Sequence, residues 1–131
     1  MTNNELIQMA IEAREHAYAP YSNYRVGAAL LTKSGKVYYG ANMECSSFSM
    51  TICAERVALV KALYDGENDF AKIAIVGGKD ELVYTTPCGA CRQFLSDFSK
   101  DLEVIMGYEE NGELKEKTFA LKELLPESFG I

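Results

Sequence analysis

This sequence has little positive charge to offer. Thirteen Lys and Arg stand against nineteen Asp and Glu, for a net charge of -6 at pH 7. Neutralisation of phosphates by basic side chains supplies most non-specific affinity for nucleic acid, so that class of partner is not expected. No apolar run approaches the roughly 20 residues that a helix needs to cross a bilayer, and no membrane partner is expected either. Met1 to Glu5 has neither the charged nor the apolar region of a secretory signal, which makes a cytoplasmic location the expectation. Internal repeats, linkers and low-complexity tracts are also missing. The single histidine, His16, falls in the first helical segment, far from any motif, and reads as a surface or helix-end residue rather than a ligand.

What is present suits one compact α/β domain spanning residues 1–131. The chain is 48% hydrophobic and 24% charged, enough apolar material for a self-supporting core. Asn3 or Asn4 can cap a helix over about Glu5 to Ala17, where Leu6, Met9, Ala10 and Ala13 recur at helical spacing. Strands follow from Val26 to Thr32 and from Lys36 to Gly40, joined by a Ser-Gly turn. A small, polar loop from Asn42 to Thr51 leads into a helix over about Cys53 to Tyr64. Ile73 to Val76 reads as a buried strand, Gly89 to Phe98 as a short helix and Leu102 to Met106 as the next buried strand. Lys115 to Phe119 is a polar strand, and Leu121 to Leu125 a last helical turn before Pro126. An opening hairpin followed by alternating helices and strands implies a mixed five-stranded sheet covered by helices, in three layers. That architecture alone says nothing about function.

The cysteines carry more. With no secretory signal, Cys45, Cys53, Cys88 and Cys91 are expected as metal ligands or reduced thiols rather than a disulfide framework. Cys88-Gly-Ala-Cys91 places two thiols at the start of a helix, where one turn brings both to the same side. A C-x-x-C pair alone also fits a thiol oxidoreductase. Cys53-Ala-Glu55 puts a third thiol at the start of another helix, with a carboxylate two residues on. Three protein ligands with an open fourth position suit a catalytic zinc, whereas four close a structural site, and Cys45 could be that fourth. Three thiolates leave the site negative, so helix N-termini aimed at the metal and Arg56, hydrogen-bonded to a ligand sulfur, would provide the balance.

Cys53-Ala-Glu55 and Pro87-Cys88-Gly-Ala-Cys91-Arg-Gln93 together resemble the zinc nucleoside deaminases, and closely the small all-cysteine cytidine deaminases. The similarity extends to Ala17-Tyr-Ala-Pro-Tyr-Ser22, Val26-Gly-Ala-Ala-Leu-Leu31, Asn42-Met-Glu44, Leu124-Leu-Pro126 and Phe129, and so spans nearly the whole chain. It implies a cytidine deaminase-like fold with one zinc per subunit on Cys53, Cys88 and Cys91. The implied reaction is hydrolytic deamination of cytidine or deoxycytidine, releasing ammonia, in pyrimidine salvage. Water activated at the zinc would add to C4 of the base while Glu55 delivers a proton to N3 and another to the departing amine.

The resemblance also assigns the substrate contacts. Asn42 and Glu44 alternate at the end of a strand, on one face, and would read the sugar hydroxyls. Tyr24, where relatives often carry Phe, would wall the base pocket, with Ala54 as a further substrate contact. Phe129 matches an aromatic that lies over a neighbouring subunit's site, which implies a homotetramer with shared active sites. Phe48 stands where Tyr is common, Cys45 where Asn is common, and Gly77 to Tyr84 lacks a proline-containing loop often found there.

Three other readings stay open at this stage. A deaminase of another cytosine nucleoside, such as blasticidin S, uses a similar zinc site, although Glu44 speaks against it. A non-catalytic zinc module would close its tetrahedron with Cys45. A metal-free oxidoreductase would use Cys88 as nucleophile.

Overall fold

The computed structural model describes all residues, 1–131. It is built on one five-stranded sheet in the order β2-β1-β3-β4-β5. The strands are β1 (Arg25–Thr32), β2 (Val37–Ala41), β3 (Phe70–Gly78), β4 (Glu103–Glu110) and β5 (Glu113–Ala120). Only β3 and β4 run parallel; the other neighbours are antiparallel, so the sheet is mixed as expected.

The three layers follow from period-two alternation along the inner strands. Ala28, Leu30, Ile73, Ile75, Val104 and Met106 face one way, onto Ala58, Leu59 and Ala62 of α2 (Ala54–Tyr64) and Leu95 of α3 (Gly89–Phe98). Ala29, Ala74, Val76 and Ile105 face the other way, onto Leu6, Ile7 and Ala10 of α1 (Asn3–Arg14). The short α4 (Leu121–Leu124) joins the first of these cores through the fully buried Leu121. Burying both faces is what makes these strands read as continuous apolar runs.

Most element boundaries lie within two residues of the sequence expectation, and the larger departures have local causes. Thr2, not an asparagine, caps α1: its hydroxyl accepts from Glu5 N (3.1 Å) while Glu5 Oε1 accepts from Thr2 N (2.9 Å). This reciprocal pair satisfies two donors where Asn3 or Asn4 would satisfy one. The same helix stops at Arg14, because Glu15, His16 and Ala17 bond back to carbonyls three residues behind and tighten the final turn. β3 extends past the apolar run at both ends, since β1 pairs with it from Arg25↔Gly78 to Thr32↔Phe70.

Two crossovers position the functional site. α2 carries the chain from β2 to β3, and α3 carries it from β3 to the parallel β4. Gly40 in β2 allows the first of these to lie flat, because a Cβ there would overlap the Ala54 carbonyl and Ala58 N of α2. The N-termini of α2 and α3 thus meet at the end of the sheet where β2 and β3 finish.

Candidate active site

Cys53 and Cys88 are the N-cap residues of α2 and α3, both in extended backbone conformation. Neither thiol caps its own helix, so both are free to turn towards one another. Cys91, fully buried, comes up from the first turn of α3. The three sulfurs lie within 4.8 Å of one another, with Cys53 Sγ and Cys88 Sγ 3.8 Å apart. A tetrahedral zinc with Zn–S bonds of about 2.3 Å holds its sulfurs ~3.8 Å apart, so the cluster has the size and the soft donors that zinc needs. Cys45 is exposed and lies outside the group, which leaves the fourth position free of protein.

Crowding makes these thiols unequal. Cys53 is pulled down to about 5, first by the hydrogen bond it receives from the Cys91 thiol and then by Arg56, whose Nη2 donates to Cys53 Sγ at 3.4 Å. Cys91 is pushed up because it donates that proton and because it is buried. Three thiols this close cannot all ionise unless a cation replaces their protons. The positive ends of two helices and the guanidinium of Arg56 add to the field that favours thiolate. Arg56 is itself anchored, its Nη2 also donating to the Thr51 carbonyl at 3.2 Å.

Glu55 sits in the first turn of α2 and is 4% exposed. Burial, reinforced by negative charge on Cys53, pushes its carboxyl up to about 7. A carboxyl at that value gains and loses a proton readily near neutral pH, which is the property a proton carrier requires.

Beside this cluster, Asn42 and Glu44 both reach the segment 21–26, and both are buried. Asn42 Oδ1 accepts from Val26 N (2.9 Å) and its Nδ2 donates to the Tyr24 carbonyl (2.9 Å). Glu44 Oε1 accepts from Tyr21 N (3.0 Å) and Ser22 N (3.2 Å), and Oε2 from the Ser22 hydroxyl (2.5 Å). These bonds, the Ser22 hydroxyl first, hold the Glu44 carboxyl below its ordinary value, so it is an anion at neutral pH. Both side chains thus brace the loop and retain only part of their hydrogen-bonding capacity for a ligand.

Tyr24 is half-buried, and its hydroxyl shares a 2.6 Å hydrogen bond with Thr85 Oγ1, three residues before Cys88. Ala54 is fully buried at the start of α2. Phe129 is 71% exposed and is held to α3 through its carbonyl, which accepts from Gln93 Nε2 (2.9 Å). Phe48 is also exposed, packed edge-on against Tyr21.

Sequence reasoning missed Ser22, Thr85, Arg92 and Arg14. Ser22 and Arg92 lie inside the motifs already singled out, yet their partners are distant in sequence and leave no local signal. Arg14 is buried without a carboxylate; it donates to the carbonyls of Arg25 (3.2 Å), Gly78 (2.8 Å) and Lys79 (3.1 Å), fixing the chain as it leaves β3.

Comparison with known proteins agrees with this geometry. Residues 1–108 match the cytidine and deoxycytidylate deaminase zinc-binding region. A cytidine deaminase from Halalkalibacterium halodurans is 46% identical over 130 residues, covering 98% of this chain and 95% of the relative. The crystal structure of cytidine deaminase from Burkholderia pseudomallei superposes with a TM-score of 0.87 at 45% identity, covering 98% of this chain and 100% of that one. A blasticidin-S deaminase from Bacillus cereus is 34% identical, covering 93% of this chain and 88% of that protein. With three thiols placed to hold zinc and a buried glutamate beside them, this chain belongs to the family of cytidine and deoxycytidylate deaminases with a zinc-binding region.

Proposed function

We propose that residues 1–131 form one catalytic domain that hydrolyses cytidine and deoxycytidine to uridine and deoxyuridine, releasing ammonia, in cytoplasmic pyrimidine salvage. The observation that carries this reading is the placement of buried Glu55 two residues after Cys53, in a carboxyl environment that raises it to about 7.

Cys53, Cys88 and Cys91 would hold the zinc, which when bound supplies the Lewis acidity that makes water a nucleophile near neutral pH. Glu55 takes a proton from that water and places it on N3 as the new C4–O bond forms. It then moves a second proton from the C4 oxygen to the exocyclic nitrogen, the C4–N bond breaks and ammonia leaves. Atoms balance with one water consumed per nucleoside. Arg56 holds the Cys53 sulfur and offsets thiolate charge.

The base would lie against Tyr24 and Ala54. Asn42 and Glu44 would meet the sugar with the capacity that the loop leaves them. Three large apolar side chains, Phe48 (59% exposed), Met50 (67%) and Phe129 (71%), are left mostly uncovered by the chain. That exposure supports a homotetramer in which a neighbour closes each site and excludes water. The test is an ultraviolet assay with zinc-loaded protein: cytidine should be converted with one ammonia per nucleoside, and blasticidin S turned over far more slowly. Turnover of blasticidin S alone would sink the cytidine reading.

A further inference from the structure

α3 and its N-cap residue do two jobs between Cys88 and Gln93. Cys88 and Cys91 point into the thiol cluster, and the next two side chains hold the C-terminal segment. Arg92 Nε donates to the Pro87 carbonyl at 2.8 Å and Nη1 to the Leu124 carbonyl at 2.7 Å, while Gln93 Nε2 donates to the Phe129 carbonyl at 2.9 Å. Arg92 is half-buried and forms no salt bridge; its guanidinium bonds to carbonyls only.

Both carbonyls matter for what lies next to them. The Pro87 carbonyl belongs to the same planar peptide as Cys88 N, so holding that oxygen fixes the plane from which the Cys88 side chain departs. Pro87 is buried, and Cys88 keeps φ -67 and ψ 167, a conformation that sends its thiol towards Cys53. The Leu124 carbonyl lies at the end of a four-residue helix, where carbonyls have no partner further along the helix. A guanidinium is a rigid planar fork, so it fixes its two acceptors relative to each other as well as to itself.

We propose that Arg92 is a positioning residue that couples the Pro87-Cys88 metal turn to the C-terminal segment 121–131, so that zinc retention and tail docking support each other. The proposal rests on the reading of Cys53, Cys88 and Cys91 as zinc ligands. By linkage, if the docked segment raises zinc affinity by some factor through this fork, bound zinc favours docking of the segment by the same factor. Where the tail covers a neighbouring subunit's site, the metal turn of one subunit is joined to the lid of the next.

The test uses zinc-loaded, full-length protein and two readouts. One is the rate at which zinc passes to excess chromogenic chelator; the other is amide hydrogen exchange across 121–131, with Ile73 to Val76 in β3 as internal reference. For R92Q we expect zinc release and tail exchange each about tenfold faster, with β3 unchanged. R92K keeps the charge but reaches one carbonyl at a time, and should fall between; if R92Q does not fold, R92K is judged by the same criteria. Q93A should loosen the end of the tail without speeding zinc release. Wild-type zinc release, faster release with an unchanged tail, or a rise in exchange that includes β3 would each overturn the proposal. A failure of the ligand reading is distinguishable, because C88A would then keep stoichiometric zinc whatever Arg92 does.

Discussion

Gly40 in β2 lies so close to the carbonyl of Ala54 that a single methyl group would overlap it. That contact sets the height of α2 over the sheet, and with it the positions of Cys53 just before Ala54 and Glu55 just after. Gly40→Ala should therefore destabilise the protein by about 1–3 kcal/mol, the usual cost of overpacking, and lower turnover as well. Gly89, the first residue of α3, has open space where a Cβ would go, and Gly89→Ala should cost no stability. Urea unfolding of both variants checks the pair; equal losses would mean that the Gly40 contact does not matter.

The bracing role of Glu44 has a pH signature. Its carboxyl is held below the ordinary value of 4.5 in the folded protein, mainly by Ser22. The folded state therefore favours the anion, and this contribution is complete above 4.5 and lost as pH falls through the lowered folded value. Glu44→Gln should be less stable than wild type at neutral pH, and the gap should shrink in acid. Urea unfolding of both proteins from about pH 6 to pH 3 measures it. A gap that stays constant with pH would show that ionisation of Glu44 contributes nothing.

Ligand and non-ligand cysteines should separate cleanly. Cys88→Ala and Cys91→Ala should lose zinc and stability together, since metal binding is coupled to folding. Cys45→Ala, outside the cluster, should keep both. Zinc content by mass spectrometry together with thermal unfolding decides this, and retained stoichiometric zinc in either ligand variant would break the proposed set.

How much of this was visible in the sequence depends on how local the cause is. The zinc cysteines were legible because each sits at a helix start, a place that apolar periodicity and spacing reveal. The fold class was legible because runs such as Ile73 to Val76 must be buried on both faces. The cap of α1 was not: Thr2, Asn3 and Asn4 are all good caps, and only the Thr2–Glu5 pairing decides among them. Arg14, Thr85 and Arg92 were invisible for a different reason. Their partners, such as Gly78, Tyr24 and Leu124, lie across the chain and meet them only after the sheet has formed. The bonds of Asn42 and Glu44 to 21–26 could not be read from an alternating pair of polar residues.

A shared site makes a prediction about mixtures. Deleting Ser128 to Ile131 should raise the Michaelis constant without changing zinc content, because it removes the exposed Phe129. Mixing this truncation with Glu55→Gln subunits should restore part of the activity, since some sites then combine an intact Glu55 with a neighbour's intact tail. Hybrids no more active than the unmixed parents, or a fully active monomer by light scattering, would exclude sharing.

Buried Glu55 would carry the protons while the three thiols carry the metal. Glu55→Gln keeps size and hydrogen bonding but cannot take up and release a proton. Zinc content and cytidine turnover, measured on the same preparation, separate these two roles. One zinc per chain and a loss of turnover of at least about 100-fold are expected. Turnover within about tenfold of wild type, with zinc in place, would contradict the role given to Glu55.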